Sequence, residues 1–392
     1  MSILAKLLPE RRTANLAITD EVLAPLSERR LMSTWSGVPV TWTTALRHIA
    51  VWSSTNFIAD LISTLPWHTY RETAAQPVKD PVGNPLITDP DPGWVTPIGW
   101  RRQALVSLLM RGNAFGLILA RDGAWPSQIR MTHPDDWSVT RRGKLEQPRW
   151  RYDNNDVTPV EMWRVTGYET PGSPIGMSPI SYIAQNIGLG LAAQRFGAQW
   201  FDEGAVPGSV LINEQKIDEP IAKEAKRRWM EAGNSREPRT LGNGWKYQQI
   251  SVAADESQFL ETIQANGAMI ATMFGLRPED IGFSVSGASV TYSNVEQQQI
   301  ARLVYPVHGW VRRLEDALSS AMPRPQYARA NVDALLRVDL ATRYKAHDSA
   351  IRGGWKNRNE VRELEELAPI EGGEEHLWPP YATSLTGKEP DA

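Results

Sequence analysis

Between Asp255 and Met322 the apolar positions mark two helices divided by a loop. Phe259, Leu260, Ile263, Ile270, Met273 and Phe274 recur at intervals of helical spacing. Asp255 and Gln258 are placed to cap the start reciprocally, while Gly275 and Pro278 stop the run. A second stripe, Ile300, Leu303, Val304, Val307, Val311, Leu314 and Leu318, follows a capping box at Ser293 and Glu296 and closes at Pro323. Pro306 interrupts that stripe, where it removes a backbone donor and crowds the preceding turn, so a kink is expected. The connecting stretch Gly282 to Thr291 holds glycine, serine, valine, alanine, one phenylalanine and one threonine, without a charge.

Upstream, residues 1–40 show no sustained period and read as an arm, or a short helix followed by a loop. Thr41 to Leu65 is helical in pattern up to Pro66, and Trp67 to Arg71 alternates like a strand. The turn-rich stretch 81–100 contains Asp89 and Asp91, which read as local backbone acceptors rather than metal ligands. A helix over 98–110 leads through Gly112, Asn113, Ala114 and Phe115 into a strand, and Asp122 with Gly123 signals a hairpin. Further short strands to Thr166 make residues 65–170 an α+β block with an antiparallel sheet. Ser178 and Pro179 open the next helix, which runs to Phe201 with Arg195 as its one charge. Its Ala184, Gly188 and Ala192 form a small-residue track that allows another helix close, so this helix requires a cover. A compact unit follows: a strand over 209–212, a basic helix over 219–231, and strands near 239–241 and 245–252. Lys223, Lys226, Arg227 and Arg228 on that helix read first as a solvated face partnered by Glu219 and Glu224, and alternatively as a docking surface for a partner protein. Residues 339–352 and 359–367 are again helical, before an acidic, proline-rich tail expected to fray.

Composition narrows the classes of function. A chain of 392 residues, 41% hydrophobic and 22% charged, has room for two or three globular domains. Cysteine is absent, which excludes a disulfide framework, thiolate metal sites and cysteine nucleophiles, and fits an intracellular or intravirion setting. A net charge of -3 argues against a surface built to grip nucleic acid by phosphate neutralisation. Arg111 and Asn113 break the most apolar stretch, so no membrane span is expected, and Met1 to Arg12 lacks the core of a secretion signal. Sixteen tryptophans outnumber the tyrosines and the phenylalanines, which suits cores and subunit interfaces.

No catalytic constellation emerges. His48, His68, His133, His308, His347 and His376 are scattered, with no two at ligand spacing. A phosphate-binding loop is missing. Gly188 and Gly190 loosely match a dinucleotide fingerprint, but they lie within a helix rather than after a strand, so helix packing explains them. Ser284 and Ser286 lack a nucleophile elbow. Asp333 and Asp339 are candidates for an acidic metal site by residue type alone. An enzyme is not expected, and neither a cofactor nor a metal is called for.

The ordered landmarks resemble the HK97-like portal proteins of tailed bacteriophages from about Trp42 to Gly373. They are the helix ending at Leu65 and Pro66, the Pro90 turn with Thr96, Gly112 to Phe115, and Gly176 to Ile180. Ile270 to Pro278, Ser293 and Asn294 with Glu296 and Gln297, and Asn359 to Arg362 follow. Phe115 stands where the family commonly has tyrosine. Arg277 replaces an apolar residue, so that turn is expected to face solvent.

The resemblance implies an α+β portal fold in a ring of identical subunits, usually a dodecamer, around a DNA channel at one capsid vertex. Its division would be an N-terminal arm over 1–40, a wing over 41–177, and stem helices over 178–204 and 255–275 flanking a clip over 205–254. A tunnel loop over 276–292, a kinked helix returning to the wing over 293–339, and a crown with tail over 340–392 complete it. On this map Gly282, Phe283, Ser284, Val285, Ser286, Gly287, Ala288 and Ser289 line the channel, Lys223, Lys226, Arg227 and Arg228 meet the motor or an adaptor, and Pro306 bends the long helix toward the wing. The implied partners are double-stranded DNA, the terminase large subunit, the major capsid protein or scaffold, and head-tail adaptors, in the virion after assembly in the host cytoplasm. The competing expectation is another head-tail structural protein without a conducting role.

Overall fold

A computed structural model describes residues 21–22, 33–72, 77–79, 83–141, 143, 146–202, 209–213, 218–231, 245–249, 256–283, 295–332, 340–365 and 367–376. Strand β1 (Glu21–Val22) pairs antiparallel with Arg141 and Thr140. Of the expected arm, residues 33–40 lie on their own chain: Thr34 occupies the space above Gly188, and the Trp35 N–H donates to Gln185 Oε1 at 3.0 Å.

The helix expected over 41–65 is two helices, α1 (Trp42–Ala45) and α2 (Ile49–Ser63). The break has a local cause, because Thr41 and Thr44 close a capping box around α1 while His48 takes an extended backbone and its Nδ1 accepts from the Ala50 N–H. Strands β2 (Trp67–Glu72) and β3 (Pro77–Lys79) precede the short α3 (Pro85–Thr88), capped by Asn84. Helix α4 (Pro97–Arg111) starts at a Thr96 cap with proline in its first turn and ends at Gly112, whose φ of 71° suits glycine.

Strands β4 (Asn113–Asp122) and β5 (Trp125–Thr132) form the hairpin signalled by Asp122 and Gly123. After them come β6 (Trp137–Arg141), β7 (Arg149–Tyr152), β8 (Asn155–Val157) and β9 (Met162–Thr166). Pairing is antiparallel in the order β5-β4-β9 in one sheet and β1-β6-β7-β8 in another. Beneath the second sheet, Phe115 stacks on Trp137 at 4.9 Å and meets Trp150 at 5.7 Å. This apolar setting suits phenylalanine at position 115.

The helix expected over 178–201 is also divided, into α5 (Pro179–Tyr182) and α6 (Ala184–Asp202), with Ile183 between them. Strand β10 (Ser209–Asn213), helix α7 (Glu219–Glu231) and strand β11 (Trp245–Gln249) form the compact unit, with β10 and β11 antiparallel. Helix α8 (Glu256–Met273) and the long α9 (Val295–Ser320) follow, and then β12 (Gln326–Ala330), which completes the sheet β12-β2-β3. Helices α10 (Leu340–Arg352) and α11 (Arg358–Leu364) end the described elements.

One large core joins α2, α4, α6, α8 and α9, with Ile58, Ile62, Leu105, Leu108, Ile187, Ile270, Val307, Val311 and Leu314 all buried. Two polar devices lock it. The first joins two segments far apart in sequence: the buried Asn113 side chain accepts from the Gly176 N–H at 2.8 Å and donates to the Gly176 carbonyl at 2.9 Å. Beside it Gly167 N–H donates to the Gly112 carbonyl, Ser178 Oγ to the Met110 carbonyl, and a Cβ at Gly112 or Gly176 would strike backbone. The second is the buried His48, bonded through Nε2 to Asn266 Oδ1 at 3.0 Å, while Asn266 Nδ2 donates to the Asn186 carbonyl. Since Nδ1 accepts from Ala50, Nε2 carries the proton. Gly190 leaves the space that His48 and Asn266 fill.

Among the described residues buried Arg101 meets no carboxylate and instead donates to the Ser63 carbonyl at the C-terminus of α2 and to the Ile87 carbonyl. Burial pushes its guanidinium down to about 10, so it stays charged at neutral pH and complements the helix end. Asp91 departs from expectation. Its buried carboxylate accepts from the side chains of Gln128 and Arg130 rather than from local backbone. Burial alone would raise this carboxyl, but these hydrogen bonds outweigh it and hold it below the usual range.

Burial also lowers the pKa of His48, against the smaller raising effect of Asn266. Above the ordinary value of 6.5 the folded and unfolded chains are both neutral here, and the node is fully stabilising. As pH falls through and below that value the unfolded chain takes up a proton that folded His48 resists, so stability falls. Urea unfolding from about pH 7.5 to about pH 5 should show this loss, and His48→Asn, which keeps a helix-capping acceptor, should flatten it. An unchanged slope in the variant would remove His48 as its source.

Candidate channel segment and docking helix

The candidate channel segment grows out of the C-terminal half of α8, which Asn266 ties to α6 and α2. Ile270, Ala271 and Phe274 are buried in the common core, while Met269 is 59% exposed on another face. Gly275 ends the helix with φ 76°, as its sequence signal predicts. A single 3-10 turn, Pro278–Ile281, follows; the Arg277 N–H donates to Asp280 Oδ2, and Arg277 faces solvent as expected. Gly282, at φ 87°, redirects the chain with open space where a Cβ would stand. Phe283 then turns back, its N–H donating to the Pro278 carbonyl at 2.9 Å and its ring packing against the core.

That ring lies over Gly267, where a built Cβ would fall among the ring atoms. Glycine inside a helix costs about 1 kcal/mol relative to alanine, so Gly267 is a local weakness that the packing of Phe283 explains. Of the eight residues assigned to the channel loop, Gly282 and Phe283 are therefore placed beside α8. Ser284, Val285, Ser286, Gly287, Ala288 and Ser289 lie outside the described residues, as do Val290, Thr291, and Ser293 of the expected capping box.

Helix α9 continues through Pro306 from Val295 to Ser320, so proline does not end it. Its buried stripe is visible at Val307, Val311, Leu314 and Leu318. Buried Glu315 joins α9 to β12 by accepting from the Ala330 N–H, with Arg312 as its ionic partner at 2.9 Å. Arg313 donates to the Gly167 carbonyl and lies over Trp310 at 5.0 Å.

On α7, Lys223 pairs with Glu219 at 2.8 Å and Arg227 with Glu224 at 2.6 Å, all with exposed side chains. The solvated-face partners named from sequence are present. Pairs this exposed contribute little stability and can exchange for other anions. Lys226 and Arg228 lie on the same helix.

Sequence reasoning missed both polar devices. Asn113 and Gly176 were visible as parts of separate landmarks, but nothing in either marks the other as its partner. His48 stood alone in its stretch, 218 residues from Asn266. Among the described residues no three His, Asp or Glu side chains gather as a metal site, and no helix is long and apolar enough to cross a membrane. His347 is held by Glu365 at 3.0 Å, and His133 stands 3.6 Å from Asp135. Asp333 and Asp339 lie outside the described residues.

Comparison with known proteins gives one consistent result. The family model described as phage portal protein matches residues 49–366. A probable portal protein of Streptomyces phage phiC31 is 29% identical over 91% of this chain and 82% of its own length, and the portal protein of Enterobacteria phage HK97 is 23% identical over 87% and 84%. The crystal structure of an HK97 family phage portal protein from Corynebacterium diphtheriae superposes with a TM-score of 0.60 at 14% identity, over 79% of this chain and 98% of the other. A chain in the neck of a native gene transfer agent particle, computed with C12 symmetry, gives 0.56 at 19% identity, over 87% and 98%. The mixed helix-and-sheet fold is thus that of HK97-family portals, and this chain belongs to the phage portal protein family.

Proposed function

We propose that copies of this chain close into a ring, a dodecamer by likeness to its relatives, that forms the channel at one capsid vertex through which double-stranded DNA enters and leaves the head. The observation that carries the reading is the exposed apolar surface of the α5–α6 arm. Tyr182 and Leu189, seven residues apart, are 66% and 50% exposed. Met269 of α8 stands beside them, its Sδ 3.6 Å from Asn186 Nδ2. Exposed apolar surface of this kind marks contact with another protein, and a repeated heterologous contact gives a ring when its rotation closes.

The division into arm, wing, stem, clip, tunnel loop and crown, with the boundaries given above, belongs to this proposal, as does the bend at Pro306. Conduction is passive. A separate ATPase, the terminase, drives the DNA, and the basic face of α7 at Lys223, Lys226, Arg227 and Arg228 receives it, with head-tail adaptors following on the same face. The capsid protein or scaffold surrounds the ring in the virion. A net charge of -3 suits a channel, because a lining of lysine and arginine would hold the duplex by counterion release and slow its movement. The uncharged stretch from Gly282 to Thr291 is the part nearest DNA.

Three measurements test these parts separately. Leu189→Glu places a charge in the proposed subunit contact and should shift the purified protein toward monomer in light scattering; undisturbed assembly would remove that face from the contact. Deleting Ser284 to Ser289 should reduce the DNA packaged and retained per particle. Normal packaging counts against the loop's role. Reversing the four α7 charges to glutamate should weaken capture of the terminase large subunit, and intact docking in low salt would reject that surface.

A further inference from the structure

We propose that Phe283 is a positioning residue: its ring, seated in the notch that Gly267 leaves on α8, sets the point from which residues 284–294 depart toward α9. Several independent constraints meet there. Gly267 is buried inside α8, where alanine would be the better helix former, yet any Cβ would occupy the space of the Phe283 ring. The Phe283 N–H closes on the Pro278 carbonyl, and Gly282 supplies the left-handed turn that aims the ring back at the helix. The residue before Gly267 on α8 is Asn266, held by His48 and bonded to the Asn186 carbonyl. The seat is therefore built beside the node that ties α8 to its neighbours, and the departing segment takes its starting position from α2 and α6 as well.

Phe283 is also the one large side chain between Gly282 and Thr291. Glycine, alanine, serine, valine and threonine cannot reach across to fill such a notch. The ring anchors one end of a stretch that has no other bulky apolar group of its own. This inference rests on the reading of that stretch as the part nearest DNA, because positioning its origin then positions what the duplex meets.

Hydrogen exchange on the purified full-length protein tests the seat without DNA. In Gly267→Ala and in Phe283→Ala, exchange at the amide of residue 283 should rise about tenfold, while amides of residues 256–266 stay as protected as in the wild type. Phe283→Leu, which still fills much of the notch, should keep protection within about threefold. Unchanged exchange at residue 283 in the first two variants overturns the proposal, and so does loss of protection spread evenly along α8 in Phe283→Ala. Packaging by the same variants separates the two readings: a tenfold rise in exchange with undiminished packaging leaves the seat standing and rejects the DNA-facing role of the segment.

Discussion

The amide clasp between Asn113 and Gly176 is the constraint on which the rest of the fold turns. It ties the first residue of β4 to the approach of α5, so a strand and a helical arm 63 residues apart share one buried pair of hydrogen bonds. Buried backbone groups left unpaired cost about 1–3 kcal/mol each, and a side-chain amide satisfies an N–H and a carbonyl together through its separate oxygen and nitrogen. The glycines around it follow from the same demand. Gly112, Gly167 and Gly176 bring backbone against backbone where a Cβ on Gly112 or Gly176 would intrude. This is a physical reason for the glycine-led landmarks at 112–115 and 176–180 to occur in one chain.

From that joint the α5–α6 arm runs outward, and a second buried polar node holds α8 against it. His48, Asn266 and the Asn186 carbonyl link three helices through hydrogen bonds, and Gly190 allows the approach. Both nodes are polar and buried, which makes them costly if misaligned and therefore specific in register. The arm beyond them keeps apolar side chains exposed, since its own chain covers only part of its surface. A monomer organised in this way is rigid where its helices join and incomplete where they extend. The proposed symmetric assembly would resolve that imbalance.

Much of the framework was legible in the apolar pattern and the caps. The Ser178 and Gly275 signals, the Asp122–Gly123 hairpin and the antiparallel block all follow from local chemistry, and local chemistry is what a sequence exposes. The misses share a cause as well. The helix over 41–65 divides at His48 because that side chain caps α2 while serving a distant partner, and Asp91 turns from backbone to Arg130 across a strand. Within the α6 stretch that holds the small-residue track, Gly188 receives Thr34 from residues 33–40, while Gly190 gives room to His48 and Asn266. Such partners are fixed by tertiary approach rather than by spacing. For the candidate site, the loop's lack of charge was legible, while the seat of Phe283 needed the three-dimensional position of Gly267. The basic residues of α7 were legible as charges, with Glu219 and Glu224 as their neighbours.

The central claim is that this chain conducts DNA as a closed ring of its own copies, with the stretch beginning at Gly282 turned inward. Cryo-electron microscopy of the purified full-length protein tests it most directly. The account predicts a closed ring with a central hole, α5, α6 and α8 packed between neighbouring subunits, and Gly282 and Phe283 on the side of the hole. Monomers, solid particles, or a ring carrying Gly282 on its outer rim would contradict it.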